Sequence, residues 1–421
     1  MALTPPPAAG TLTCRGCGGT LEIRAPGRSV SVACGSCGAL LDATDPDYRL
    51  IAQYTARKVT PRIPLGTRGR FGAETYEAIG YLVRKTVGES DTWFEYLLHN
   101  PTLGQRWLVE YHGHWVMTRT ASGVPETSRR DATYQGVRYR HFEKANAEVV
   151  AVVGEFPWTP RVGERAMVDD FVAPPRMLSR EATGHETTWS TGEYIDGATV
   201  WKAFGLAGAP PARIGVGAAQ PSPYAAQGRA MFLLAVSFVA AAVLVHLLFA
   251  IFSQQRLVTD ITGEYRPNVP EAATVVSEPF DLRGRTSNVM VEISTNVANS
   301  WAYFHLSLVN ESTGVAKSFG REVGFYSGRD SDGAWSEGAN WDRAYLPSVL
   351  SGGYVLVVEP EGPHPVAWRA RLTRDVPRPL WVWLAIGAML VPPVLFLWRR
   401  AAFEARRWSQ SDHAPASRDD D

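Results

Sequence analysis

Cysteine is nearly missing from this chain of 421 residues: all four lie between Cys14 and Cys37. The rest can form no disulfide framework, so whatever folds there must stand on apolar cores. A net charge is missing as well, since 42 basic residues face 42 acidic ones. No global field therefore draws the chain toward nucleic acid, and none is expected as a partner. The first ten residues lack both a basic start and an apolar run, so they are not expected to act as a signal peptide. No phosphate-cradling glycine loop, nucleophile elbow or zinc-protease motif occurs. These absences turn the reading from enzyme chemistry toward architecture.

Two runs lack charge altogether. Met231–Phe252 is apolar throughout except Ser237 and His246, with Arg229 before it and Arg256 after it. Leu380–Trp398 is the second, flanked by Arg378, Arg399 and Arg400, with Trp381, Trp383 and Trp398 at its ends. About twenty apolar residues at ~1.5 Å each cross a hydrocarbon core of ~30 Å. Terminal tryptophans suit an interfacial belt. Both runs are expected to be transmembrane helices, spanning 229–253 and 378–400. Pro392-Pro393 is expected to kink or end the second helix, because two backbone donors are lost there. Phe403, Arg406, Arg407 and Trp408 then suit a short interfacial helix ahead of a disordered polar tail in 401–421.

The cysteines read C-x2-C, sixteen residues, C-x2-C. That spacing belongs to zinc ribbons, and four thiolates close a tetrahedral structural site with no position left for substrate. Cys14, Cys17, Cys34 and Cys37 are the expected ligands of a structural Zn²⁺, with a rubredoxin-type iron site or a redox pair as alternatives. Gly18 and Gly38 would let the backbone turn under the sulfurs. Thr20–Arg24 and Ser29–Ala33 read as two short strands joined at Pro26-Gly27, and metal binding should supply most of the folding free energy of residues 1–41.

After a short linker with some helical character (Asp42–Arg57), residues 61–206 read as all-β, a barrel or sandwich-like domain. Its strands are expected at Thr75–Val83, Thr92–Leu98, Arg106–Tyr111, His114–Thr118, Ala147–Val153 and Glu164–Val172, with a short helix at Thr199–Leu206. Gly208–Tyr224, within the 207–228 linker, is too rich in Gly, Ala and Pro to build a core. From Pro64-Leu65-Gly66 to about Phe204 the chain resembles the bacterial domain-of-unknown-function family 4178. The residues carrying this are Trp93–Leu98, Trp107-Leu108, Gly113-His114-Trp115, Gly154-Glu155-Phe156-Pro157-Trp158, Leu178–Glu181, Trp189-Ser190 and Gly192-Glu193-Tyr194. The resemblance implies the layout of ribbon, β domain and membrane hairpin, and carries no activity with it.

Residues 254–377 alternate with period two. Val289, Val291 and Ile293, then Ala302, Phe304, Leu306 and Leu308, then Val366, Trp368, Ala370 and Leu372 are spaced to fill a core. A β-sandwich of roughly seven strands follows, with a hairpin turn at Asn310–Gly314.

Several polar groups invite a functional reading. His112 and His114 would share a strand face but lack a third ligand, which makes them ordinary strand histidines. His185, Glu186 and Glu95 are acid-base candidates without a partner. Asp330, Asp332 and Glu337 could form a calcium loop, although Asp-Gly is also a common turn. Trp301, Tyr303, Tyr326, Trp335 and Trp341 are expected to serve mainly as core. His246 inside the first span is expected to bond a neighbouring helix or headgroup rather than relay protons.

Arginines after the second span and the need to keep thiols reduced place both termini in the cytoplasm, with 254–377 outside a bacterial inner membrane. The expected partners are the membrane and either another protein or a second copy. The leading reading is a non-enzymatic scaffold, adaptor or envelope sensor. The alternatives are a glycan or small-ligand receptor, or an enzyme of unrecognised type in the inner β domain.

Overall fold

The chain is mainly β with two long apolar helices, as its patterning requires. A computed structural model describes residues 10–55, 59–184, 186–268 and 274–414. It divides into one unit of Met1–Arg229 with Val394–Asp421, and a second of Ala230–Pro393.

The first unit opens with β1 (Gly10–Thr13), β2 (Thr20–Ile23), β3 (Ser31–Ala33), β4 (Ala39–Asp42) and β5 (Leu50–Gln53). After β6 (Arg68–Phe71) comes a meander of β7 (Glu74–Thr86), β8 (Thr92–Asn100), β9 (Gly104–Tyr111) and β10 (His114–Thr120). The hairpin of β11 (Glu126–Thr127) and β12 (Asp131–Tyr134) separates it from a second meander. That meander is β13 (Val137–Phe156), β14 (Arg165–Ala173), β15 (Arg176–Ala182) and β16 (Thr187–Ile195). Since β10 pairs with β16 and β13 pairs with β7, the eight strands close into an antiparallel barrel. Closure removes the exposed edges that an open sheet would carry. The helix α1 (Gly197–Phe204) covers one outer face, with Val200, Trp201 and Phe204 packed beside Trp115, Tyr96 and Ile63.

The first forty residues do not stand apart. β1 and β2 form their own hairpin, while β3 pairs with β4 and with the end of β13. The expected pairing of the two strands across Pro26-Gly27 is therefore replaced, because β13 extends past β14 and offers β3 a longer partner. Residues expected as a partly helical linker contain β5, which pairs with β4.

Gly208–Tyr224 is docked rather than loose. The Ile214 N–H donates to the His112 carbonyl (2.9 Å), and Val216 and Ala219 are buried. Gly113 (φ +78) has no room for a side chain, since a Cβ would stand 2.4 Å from the Ala212 carbonyl oxygen.

The helix α2 (Gly228–Ile251) buries none of its residues. The second unit continues with β17 (Arg256–Tyr265), β18 (Val275–Val276), β19 (Phe280–Leu282), β20 (Ser287–Thr295), β21 (Ser300–Asn310), β22 (Ala316–Asp330), β23 (Gly333–Ala339), β24 (Trp341–Val349), β25 (Gly352–Glu361) and β26 (Val366–Arg374). These ten strands, against seven expected, form sheets ordered β17-β26-β20-β24 and β18-β25-β21-β22-β23, with β19 also on β25. Every alternating apolar residue named above lies in their shared core. Asn310 closes the expected turn, its side-chain oxygen accepting from the N–H groups of Ser312 and Thr313.

The helix α3 (Pro379–Trp408) runs through Pro392-Pro393 without ending. Proline already holds a helical φ, so the two rings remove donors without forcing a stop. Its last turns do not form an interfacial helix either. Phe403 and Arg407 are buried against residues 217–224, and Trp408 packs on Phe142 with the Arg140 guanidinium 4.3 Å from its ring.

Candidate metal centre and its setting

Each cysteine pair sits on a matched turn. The Gly18 N–H donates to the Cys14 carbonyl (2.8 Å) and the Gly38 N–H to the Cys34 carbonyl (2.9 Å). Both glycines are left-handed, at φ +74 and +76, which a side chain would strain. The two turns face one another, so the short sulfur contacts are crossed. Cys14 Sγ lies 3.7 Å from Cys37 Sγ, and Cys17 Sγ lies 3.9 Å from Cys34 Sγ. All four sulfurs fall within 4.8 Å of one another.

A tetrahedron with arms of ~2.3 Å has edges of ~3.8 Å, so this donor set fits a thiolate-bound divalent ion. It does not fit a disulfide, whose sulfurs stand ~2.05 Å apart. Desolvation, reinforced by the other sulfurs, pushes the Cys37 thiol up to about 12. A bound cation takes its cysteine ligands as thiolates and releases their protons. Cys14 and Cys34 are buried, and four ligands fill the polyhedron, so the centre can staple but cannot bind substrate.

The barrel holds this centre through one buried carboxylate. Glu155, on β13, is 1% exposed. It accepts from the Arg24 N–H (2.6 Å), the Ala25 N–H (2.9 Å) and the Ser29 hydroxyl (2.8 Å) in the β2–β3 connection. Gly154 (φ +91) marks the junction where β13 meets β7 and β3 at once; a Cβ there would lie 2.3 Å from the Ile79 carbonyl oxygen. Phe156 is fully buried and the Trp158 carbonyl accepts from Ser31 (2.6 Å). The run Gly154–Trp158 is thus the docking site of the cysteine hairpins. The sequence alone does not reveal that role, because their partners lie about 130 residues earlier.

The barrel lumen carries a polar cluster beside apolar Leu82, Leu97 and Val149. Arg84, Glu95, Glu143, Asp170, Ser179 and Glu181 share one face by strand register. Arg84 on β7 reaches Glu181 on β15, three strands away around the wall (Nη1 to Oε2 3.0 Å), so that face points inward. Arg84 also pairs with Glu95 (3.3 Å), which accepts from the Trp93 indole (2.7 Å). Asp170 keeps one buried oxygen without a partner. Burial pushes it up to about 7, Glu143, Asp169 and Glu95 act in the same direction, and Ser179 opposes them. Glu143 is raised by burial and then by Asp412.

The other candidates are not brought together. His112 occupies the β9–β10 turn at φ +50, so it shares no strand face with His114. His114 is buried between the Tyr194 hydroxyl (3.1 Å) and the Ile214 carbonyl (3.2 Å). Glu95 is committed to Arg84, Glu186 is exposed, and His185 lies outside the described residues. Asp330 and Asp332 form an exposed turn in which the Asp332 N–H donates to Asp330 (3.0 Å), while Glu337 sits on β23 opposite Tyr326. The expectation that the aromatics are mostly core is corrected. Tyr326, Trp335 and Trp341 are 38%, 44% and 49% exposed, and Trp301 and Tyr303 are part-exposed.

Residues 64–197 match the family described as "Domain of unknown function (DUF4178)". No curated protein matches the chain. Among solved structures, the infectious bursal disease virus Gx strain aligns at 10% identity over 84% of this chain and 67% of that one, with a TM-score of 0.16. The Gt strain aligns at 9% identity over 73% and 74%, with a TM-score of 0.15. Scores this low leave no shared fold to argue from.

Two outcomes follow. The purified chain should carry about one zinc ion, and each single Cys→Ser variant should lose most of it by elemental analysis. Four free thiols without any metal would exclude the site. The second concerns pH. Asp170 stands near 7 when folded against ~3.9 unfolded, so the folded state holds the extra proton between those values. Stability is therefore fully present below ~4 and falls as pH rises toward 7. Asp170→Asn should stabilise the chain above pH ~7 by up to about 4 kcal/mol and make no difference near pH ~4, read from thermal midpoints at the two pH values.

Proposed function

We propose that this chain is a two-span membrane protein of the bacterial inner membrane. It joins a cytoplasmic barrel, stapled by a structural Zn²⁺ on Cys14, Cys17, Cys34 and Cys37, to an extracytoplasmic β-sandwich. Its role in this reading is that of a non-enzymatic scaffold, adaptor or envelope sensor working with a protein partner or a second copy. The observation that carries the reading is the pair of helices. The α2 helix has a mean hydropathy of 2.6 with none of that stretch buried, and α3 reaches 2.2 with 11% buried. Side chains so apolar on every face have lipid as their natural solvent. The lumen lends little support to an enzyme, since Arg84 and its two glutamates already fill its centre.

Ser331→Cys on the β22–β23 turn should react with an impermeant maleimide in intact cells, while Ser128→Cys beside β11 should react only after lysis. The opposite pattern inverts the topology, and release of the protein without detergent removes the reading altogether.

One observation favours the receptor reading as a second possibility. Trp301, Tyr303, Tyr326 and Trp335 share the outward face of one sheet by register. Glycines lie between them: Tyr303 covers Gly320, and a Cβ on Gly328 would stand 2.7 Å from the Trp335 ring. Flat aromatic surface on a glycine floor suits stacking against sugar rings. Soluble cello- and chito-oligosaccharides should then shift the intrinsic fluorescence, with affinity falling about tenfold in Trp335→Ala combined with Tyr326→Ala. No shift with either sugar would leave the platform as a protein-docking face.

A further inference from the structure

The second unit carries a groove where its two helices leave the sandwich. It encloses about 480 Å³, within the range of ~300–1,000 Å³ usual for small-ligand sites. One wall is helical and largely apolar, with Val245 and Phe249 from α2 and Val382 from α3. The other carries Arg285, from the β19–β20 connection, and Arg378, the residue before α3.

The charges in this groove do not balance. Arg378 makes no ion pair among the described residues, and its guanidinium carbon lies 4.3 Å from the Tyr345 ring centre. Arg285 reaches Asp375 only at 3.4 and 3.5 Å, and its side chain is 50% exposed. Asp375 is itself shared, since it accepts from the Gln254 N–H (3.1 Å). Two guanidiniums therefore face one carboxylate. Behind them Arg374, 1% exposed, donates to the Arg285 carbonyl (2.7 Å) and leaves two nitrogens without partners. A buried cation there adds to the positive potential. Trp381 and Trp383, 63% and 68% exposed, lie within the first two turns of α3, at the depth where an interfacial belt meets headgroups.

We propose that this groove binds the phosphate of an anionic phospholipid, held by Arg285 and Arg378, with its acyl chains along α2 and α3. The cationic wall supplies charge-assisted hydrogen bonds to phosphate oxygens. The helical wall gives the chains an apolar bed that a free anion would leave uncovered. His246 lies in the same wall, one turn farther along α2 from the guanidiniums, where it can bond the ester region. The intramembrane histidine thereby gains a partner without any proton path.

This inference rests on the reading that both helices span a membrane. The full chain, purified in an uncharged detergent, should be titrated with short-chain phosphatidylglycerol, with phosphatidylcholine of the same chains, and with inorganic phosphate. The readouts are tryptophan fluorescence and the thermal midpoint. Phosphatidylglycerol should give a saturable response, phosphatidylcholine one about tenfold weaker, and inorganic phosphate none. Arg285→Gln with Arg378→Gln should lower phosphatidylglycerol affinity about tenfold or more while leaving the lipid-free midpoint near that of the parent, and Arg378→Lys should retain most of it. Should the double variant misfold, Arg378→Gln alone carries the comparison, because that side chain holds no ion pair. Parental binding by a folded variant, or a full response to inorganic phosphate, overturns the lipid site and leaves the spanning reading intact. Solubility without detergent overturns both.

Discussion

A single buried guanidinium fastens the return of the chain to its first unit. Arg407 is 1% exposed, and a charge at that depth is tolerable only when its donors are all met. Its Nη1 donates to the carbonyls of Gly217 and Ala218, its Nη2 to that of Gln220 and to Glu404, and its Nε to Glu404. Five N–H groups thus find five acceptors. Backbone carbonyls, rather than apolar side chains, order the stretch that leads into α2. Tyr224 then meets Phe396 and Phe403 edge-on at 5.6 and 6.3 Å, and Gly228 lies against Arg400. Within the first unit, these contacts together hold the segment leading into α2 against the later turns of α3.

That arrangement explains why some of the architecture was legible and some was not. The sandwich could be read because its strands bury one face each, so Val289, Phe304 and Trp368 announce themselves by alternation. The first barrel meander could be read for the same reason. The second could be read only in part: Ala147–Val153 and Glu164–Val172 fall on β13 and β14, whereas β15 and β16 turn Ser179, Glu181 and Ser190 to the face where a core strand normally shows apolar residues. The four cysteines were legible as a cluster, since spacing alone brings sulfurs together. Their attachment to β13 was not, because it depends on Glu155 meeting main-chain donors in another element. Glycine-rich composition hid two features in opposite ways. It made residues 208–224 look loose when Arg407 holds them, and it masked the outward aromatics of β21 to β23, whose glycines leave the rings uncovered on the surface.

The attachment of the cysteine hairpins also changes what a metal would contribute. A free ribbon of forty residues has too little core to fold without its ion. Here Ala25, Ala33 and Leu40 pack against Ile79, Leu97 and Phe156, and β3 adds a backbone ladder to β13. Part of the stability therefore comes from the barrel. The four sulfurs would hold the β1–β2 hairpin to the β3–β4 hairpin, the two pieces that share no backbone pairing. The polar cluster of the lumen works in the other direction. Arg84, 7% exposed, with Glu95 and Glu181, contributes little net stability against a well-packed apolar filling. It does fix which strands face one another, since a slip of one residue would turn Arg84 to the outside.

The far ends of the helices are fastened as firmly as the near ends. Four residues separate the end of α2 from β17, and four separate the end of β26 from α3. The two pair antiparallel from Arg256 opposite Arg374 to Tyr265 opposite Val366. Asp375 adds a side-chain tie to the Gln254 N–H and is held at φ +57, a conformation that a non-glycine residue adopts only when its surroundings impose it. Within the second unit, the strand ladder therefore ties the chain leaving α2 to the chain entering α3. In the proposed sensor role, the apolar surface of α2, none of which is buried within its own chain, is where copies of the chain would associate.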